Sequence, residues 1–358
     1  MATEQNFSET TDGSSSVNLS GYMVLTDMEK EIISWLCFLT GPITFLENIL
    51  VLLVIGSSVR LRKRPTYLFI GSLALGDILA SSFFPIIFLE FHIYKKNDTP
   101  KIYLFKLGGV TMAFTVSVGS LLLTSMDRYL CIYQAPRYKL VLTRCRALFG
   151  IMTLWVLAAG ISFLPLMGWR CYSKTPCSQL FPYVDRSFMG CWAGIMLLVL
   201  LLIVVAYALI LWKAHKHEAA MVVSKAGHST IARQARMRMD IRLARTLGII
   251  LLILVLCWLP SLSIMLVDVS RFLSKEEQRT FAFCGMLCLV NSAINPILYA
   301  LRCRELRRAL INLLRCVGRV CTLNKCVSIQ QRENNVGHID NKDRDTVTTE
   351  SLDRQHLD

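Results

Sequence analysis

Seven stretches of this chain are almost continuously apolar, with polar connectors between them: Ile32–Ser57, Tyr67–Phe91, Leu107–Cys131, Ala147–Met167, Phe188–Leu211, Leu247–Val267 and Phe281–Leu301. A helix needs about 20 such residues to cross the roughly 30 Å of hydrocarbon in a bilayer. Backbone groups in lipid must bond within their own segment, and the ten-residue alternation of a porin strand is absent, so the pattern predicts helices. The predicted fold class is an all-α membrane protein, a seven-transmembrane helix bundle over residues 32–301. Residues 1–31 form a polar tail ahead of it, 302–316 a short amphipathic helix on the membrane surface, and 317–358 a polar tail predicted to be disordered.

Composition agrees with that pattern. Hydrophobic residues make up 54% of the chain and charged residues 18%, against about 25% charged in a soluble domain. The net charge of +14 would suit nucleic acid, but the basic residues sit in short clusters beside apolar runs, where membrane topology accounts for them. Arg60, Arg62, Lys63 and Arg64 follow span one, Arg137, Lys139, Arg144 and Arg146 follow span three, and further clusters follow spans five and seven. The positive-inside rule puts these connectors in the cytoplasm and the N-terminus outside, although Lys95, Lys96, Lys101 and Lys106 weaken the contrast. The tail has neither the basic start nor the apolar stretch of a cleaved signal peptide, so span one is expected to act as its own insertion signal.

The flanking segments carry candidate modification sites. Asn6-Phe7-Ser8 and Asn18-Leu19-Ser20 are glycosylation sequons in the expected outside tail; Asn97-Asp98-Thr99 is poorly placed because Pro100 follows it. Behind span seven, Leu306, Leu310, Leu313 and Leu314 fall on one face of a helical stretch, with Arg304, Arg307 and Arg308 opposite. Such a helix lies against anionic membrane lipids, and Cys316 just beyond could carry a palmitoyl chain or stay a free thiol. Ser328, Thr346, Thr348, Thr349 and Ser351 are compositional candidates for phosphorylation. Among the 13 cysteines there is no CxxC pair and no His/Cys cluster with zinc spacing, so no metal site is expected.

Polar residues inside spans are costly and therefore candidates for function. Asp77, Ser117, Asn291 and Asn295 could meet in the bundle core and hold a sodium ion, or form a hydrogen-bonded packing cluster without one. Asp127-Arg128-Tyr129 closes span three, and Arg128 can pair with Asp127 or reach Asp240 at the start of span six. Breaking such a pair would free Arg128 for a partner, a two-state element of the kind a switch needs. Pro260 in Cys257-Trp258-Leu259-Pro260 and Pro296 in Asn295-Pro296-Ile297-Leu298-Tyr299 each remove a helical hydrogen bond, giving a static kink or a half-helix free to swing.

Together these residues resemble the rhodopsin-like G-protein-coupled receptors over about residues 30 to 316. Lys63 to Ala74 (KRPTYLFIGSLA), Ser117 to Thr124 (SVGSLLLT), Leu211 to His215 (LWKAH) and Phe281 to Cys284 (FAFC) are similar to the cannabinoid receptors in particular. The leader of residues 1–31 matches the receptor type with the shorter leader, in a form expected from a non-mammalian vertebrate. The resemblance implies a ring closed by Cys171 and Cys177, in place of the usual bridge to the top of span three, where Lys101 to Lys106 hold no cysteine. Val199 stands where most relatives carry a proline.

It further implies a ligand cavity lined by Phe84, Phe88, Phe91, His92, Val110, Thr111, Phe114, Phe181, Trp192, Trp258 and Phe281, with Lys106 and Gly285 at positions that bear on ligand binding. Gly285 replaces a serine that can hydrogen-bond a ligand head group, so Gly285→Ser is expected to raise affinity for amide-headed ligands, with Thr111 or His92 supplying the polar contact otherwise. The implied ligands are endocannabinoid acyl amides and acylglycerols, and the implied partner is a heterotrimeric G protein of the inhibitory class, which lowers adenylate cyclase activity. Arrestin and receptor kinases would act on the C-terminal tail. On activation the inner half of span six would swing out and expose Arg128, Tyr207 and Tyr299. Such a receptor sits in the plasma membrane and is no enzyme; it has no catalytic residues and needs no cofactor beyond the sodium ion considered above.

The residues also weigh against other classes. A transporter would show internal repeats and broken spans, and an intramembrane protease a Ser/His/Asp or paired-Asp arrangement within the spans. No acid stands in the upper half of span three to bind an amine, and span seven has no lysine for a retinal Schiff base. A receptor for another lipid mediator, such as a lysophospholipid, is the nearest alternative, but only Lys106 is available to meet its anionic head.

Overall fold

Helix starts in this chain are set by polar caps that lie ahead of the apolar runs. Thr26 accepts from the Glu29 amide (3.3 Å) while the Glu29 carboxylate accepts from the Thr26 amide (2.7 Å), a reciprocal capping box. Helix α1 therefore runs Asp27–Ser57. Ser274 and Glu277 form the same box and start α7 (Lys275–Arg302, the last of the seven) well before Phe281. Pro65 begins α2, Pro65–Phe88, where its missing N–H costs nothing. After Pro85 the helix widens into a π-helical turn, Leu89–Ile93.

The computed structural model describes residues 19–96, 98–133, 137–171, 177–223 and 231–315, except the side chains of 20, 139, 214–223, 231–247, 249–251, 301 and 302. The remaining helices are α3 (Pro100–Tyr133), α4 (Arg144–Ser162), α5 (Arg186–Val223) and α6 (Ile231–Ser270). A helix at 304–315, α8, exposes Arg304, Arg307 and Arg308. Among the described residues, seven helices are long and apolar enough to cross a membrane. Phe38, Phe149, Leu201 and Leu256 stand exposed on them, as expected where the surroundings are lipid tails and not water.

Besides the earlier helix starts, the end of span four and the connector between spans five and six differ from the sequence expectation. Span four was expected to reach Met167, but α4 stops at Ser162. Phe163 leaves helical geometry, and only a short turn, Leu164–Met167, follows before Gly168 at φ 134°. The proline at 165 has no N–H to continue the ladder. The connector expected between spans five and six is largely helix, because α5 runs on to Val223 and α6 begins at Ile231.

Helix α3 is the axis of the bundle: 72% of its apolar window is buried, against 17% for α4. Close approach of α2 depends on Gly76. A Cβ there would lie 3.2 Å from the Ser117 amide nitrogen and 3.3 Å from the Ala113 carbonyl oxygen, both backbone atoms that cannot rotate away. Gly76→Val is expected to destabilise the bundle by about 1–3 kcal/mol and lower its thermal midpoint in detergent. Gly160→Ala, where a Cβ meets nothing within 4 Å, should leave it unchanged; equal midpoints for both variants would refute this packing account.

Candidate ligand cavity and switch residues

A cavity opens between the helices at the end of the bundle that carries Cys171 and Cys177. Helix α2 and its π-helical turn contribute Phe84, Phe88, Phe91 and His92; α3 contributes Val110, Thr111 and Phe114. Trp192 comes from α5, Trp258 from α6, Phe281 and Gly285 from α7, and Phe181 from the loop before α5. Eleven residues were expected to line it and two, Lys106 and Gly285, to bear on binding; all but Lys106 are at the cavity. The rings meet edge to face, Phe114 on Trp258 at 5.0 Å and Phe181 on Phe281 at 5.4 Å. Two polar groups of the wall are occupied: Thr111 Oγ1 donates to the Leu107 carbonyl at 3.0 Å, and Trp192 Nε1 donates to Thr115 Oγ1 at 3.1 Å. His92 Nδ1, Trp258 Nε1 and Gln278 Oε1, by contrast, are buried there without a partner.

Lys106 is a correction. Its ammonium is held by the carboxylates of Glu90 and Asp98, which draw it away from the cavity. The sequence also gave no sign that Tyr22, Val24 and Leu25, from the segment before α1, would line the same space. Leu25 is buried against Ile33, Phe88 and Met286, and Arg279 Nε donates to the Val24 carbonyl at 2.9 Å. Burial, and after it the charge of Asp268, push the Tyr22 phenol up to about 12, so at neutral pH it remains a donor, to the Ser178 carbonyl at 2.9 Å. Cys171 and Cys177 are joined by a disulfide with their Cα atoms 5.2 Å apart.

Deeper in the bundle, Asp77 is fully buried. Ser117 Oγ donates to it at 2.8 Å and Asn295 Nδ2 at 3.0 Å. Asn291 lies in the same core but makes no hydrogen bond to Asp77, and the side-chain oxygens of Asn291 and Asn295 are buried without a partner. A carboxylate, a hydroxyl and two unpaired amide oxygens are a donor set that fits a hard monovalent cation. Among the described residues there is no cluster of three or more His, Cys, Asp or Glu able to hold a metal ion.

At the opposite end, Asp127 and Arg128 are both buried and bonded to each other, Arg128 Nε to Asp127 Oδ2 at 3.0 Å. Asp127 also accepts from Thr66 Oγ1 at 2.7 Å and from the Tyr138 hydroxyl at 2.6 Å. Burial and the charge of Asp127 push the Tyr138 phenol above its ordinary value, which keeps it a donor. Tyr129 takes no part in the cluster; it stacks on Tyr133 at 4.4 Å. Tyr207 and Tyr299 are buried, the latter with its hydroxyl unpartnered. Pro296 lies within α7. Asp240 lies on α6 but its side chain is outside the described residues, so a pair with Arg128 is not visible; Asn6, Asn18 and Cys316 also lie outside them.

The rhodopsin-family model of seven-transmembrane receptors matches residues 47–299. Human cannabinoid receptor 2 is 46% identical over 298 residues, 83% of this chain and 81% of that one. The rat cannabinoid receptor 2 is 48% identical over 290 residues, 80% and 79% of the two chains. Cannabinoid receptor 1 of Xenopus laevis is 44% identical over 309 residues, 83% of this chain and 66% of its own length. This chain belongs to the cannabinoid receptors. As such it is a multi-pass receptor of the plasma membrane with a G protein and a small-molecule ligand as partners, and not an enzyme.

In this cannabinoid receptor Gly285 is more than an absent hydroxyl. A Cβ at that position would lie 3.0 Å from Phe84 Cζ, so the glycine makes room for a cavity ring. Gly285→Ser is therefore expected to push Phe84 into the cavity and weaken ligand binding by between about fivefold and about a hundredfold, the scale of about 1–3 kcal/mol for overpacking. The double variant Gly285→Ser, Phe84→Ala should recover part of that loss. Competition binding checks both, and tighter binding by Gly285→Ser alone would restore the hydrogen-bond reading.

Proposed function

We propose that this receptor is a type 2-like cannabinoid receptor that binds long-chain acyl amides and acylglycerols in the cavity beneath Phe181 and signals through an inhibitory G protein. The observation that carries this reading is the uncharged, largely aromatic wall, which includes Phe181, Phe281, Phe84, Phe114, Trp192 and Trp258. An acyl chain gains about 25 cal/mol for each Å² of apolar surface it buries there. The N-terminus lies outside the cell and the Arg128 end faces the cytoplasm, where arrestin and receptor kinases would meet the tail.

The edge-to-face contact of Phe114 with Trp258 ties ligand position to α6. A ligand that fits better once these rings have repacked favours the state in which the Arg128 end of α6 swings away, and it shifts the equilibrium only by its difference in affinity for the two states. Arg128 then leaves Asp127 and Thr66, and with Tyr207 and Tyr299 meets the G protein. Asp77, Ser117, Asn291 and Asn295 would hold a sodium ion, whose charge would favour the arrangement joining α2, α3 and α7. In that arrangement Asp77 already takes the Ser117 and Asn295 donors.

The test is twofold. A labelled acyl amide should bind membranes containing the chain and be displaced by acylglycerols but not by lysophosphatidic lipids. Agonist should also lower cyclic AMP in cells, and blocking inhibitory G proteins should remove that response. Displacement by the lysophospholipid alone would make this a receptor for that mediator.

A further inference from the structure

The carboxylate of Asp268, near the Cys171 end of α6, is fully buried, and its hydrogen-bond partners are neutral. Ser178 Oγ donates to it at 2.6 Å, and the Gln179 amide points at both of its oxygens at 3.2 Å. The same Ser178 hydroxyl oxygen accepts from the amides of Leu180 (3.1 Å) and Phe181 (3.3 Å). One acid thus organises a whole turn of the loop before α5. Gln179 Oε1 in turn accepts from the Leu273 amide at 2.6 Å, just ahead of the cap of α7. Ser178 is itself fully buried. The turn sets Phe181 edge-on against Phe281 at the cavity.

We propose that Asp268 is a positioning residue that latches the loop turn 178–181 onto α6, so that the roof of the cavity moves with that helix. Nothing in the cavity wall requires this, because Asp268 and Ser178 do not line it. A buried anion held only by neutral donors is costly to strip of any one of them, so the turn leaves α6 as a unit or not at all. A ligand pressing on Phe181 then acts on the outer end of α6 directly, and a ligand leaving past Phe181 must first break the Asp268 contacts. The second consequence rests on the proposed function; the latch itself does not.

The two are separated by measuring the unliganded receptor first. In lipid nanodiscs, hydrogen–deuterium exchange of the backbone over residues 178–181 should speed up about tenfold in Ser178→Ala and in Asp268→Ala. Ser178→Thr, which keeps the hydroxyl, should stay close to the unaltered chain. With a labelled acyl amide, both alanine variants should release ligand about tenfold faster at an unchanged association rate. The double variant should be no faster than the faster single one, because both changes break the same latch. Unchanged exchange in Ser178→Ala would overturn the proposal. So would single-variant effects that multiply in the double variant, or a loss of binding sites with an unchanged release rate. If Asp268→Ala does not fold, Asp268→Asn takes its place. It keeps the shape of the side chain and the bonds that Ser178 Oγ accepts from the Leu180 and Phe181 amides, while removing one of the acid's acceptor oxygens. If the unaltered chain binds no acyl amide, the ligand reading fails, and the exchange measurement still decides the latch.

Discussion

Arg128→Ala is expected to reduce ligand-stimulated nucleotide exchange on the G protein to background while ligand binding stays measurable. Arg128 is buried with its guanidinium committed to Asp127 and Thr66. It can be transferred to a partner because the donors that replace it are already in place: Asp127 keeps the hydroxyls of Thr66 and Tyr138 when Arg128 departs. The alanine variant therefore keeps both hydroxyl donors on Asp127. Losing the cation of a buried pair lowers stability by about 3–5 kcal/mol, so exchange is compared at equal amounts of folded, ligand-binding receptor. What the variant removes is a charged group that would be desolvated against the G protein, a loss of roughly 2–5 kcal/mol or more for a buried hydrogen-bonded charge. At about 1.4 kcal/mol per factor of ten, this takes exchange down by at least about thirtyfold. The cavity is at the other end of the bundle, so saturation binding should change little. Exchange that survives in Arg128→Ala would remove the switch from this account.

Val110→Asp should abolish binding of an acyl ligand. Val110 lines the cavity on α3 and is 7% exposed, and the wall around it is aromatic. A carboxylate there has no cation to pair with, because Lys106, one turn away on the same helix, is already held by Glu90 and Asp98. Leaving an ion unpaired against an apolar ligand costs several kcal/mol, more than a hundredfold in affinity. Val110→Ile, which keeps the wall apolar, should bind within a few-fold of the unaltered chain. Equal loss in both variants would mean that shape and not polarity governs the site.

The spans and the Asp77 cluster were legible in the sequence because each rests on a strong local signal, hydropathy for the one and a lone acid in an apolar run for the other. The cavity rings came through the resemblance carried by the matched motifs, not from their spacing. Helix starts were less legible, since Thr26 and Ser274 sit in polar flanks that hydropathy ignores. The end of α4 was obscured because Pro165 and Gly168 lie inside an apolar run. Lys106 was misjudged because Glu90 and Asp98 lie 16 and 8 residues from it in the chain and converge only in three dimensions. The same holds for Leu25, which reads as tail yet is buried in the bundle, and for Asp268, whose partners lie 90 and 89 residues earlier. The space around Gly285 depends on Phe84 of another helix, so no inspection of α7 could have revealed it.

The central claim is that a neutral lipid in the apolar cavity drives exchange through Arg128. It is tested most directly by nucleotide exchange on purified inhibitory G protein with the receptor in nanodiscs, stimulated by endocannabinoid acyl amides and acylglycerols or by lysophosphatidic lipids. The account predicts saturable stimulation by the former, absent in Arg128→Ala, and none by the latter. No response to either acyl amide or acylglycerol in a preparation that is folded and otherwise competent to couple would contradict it.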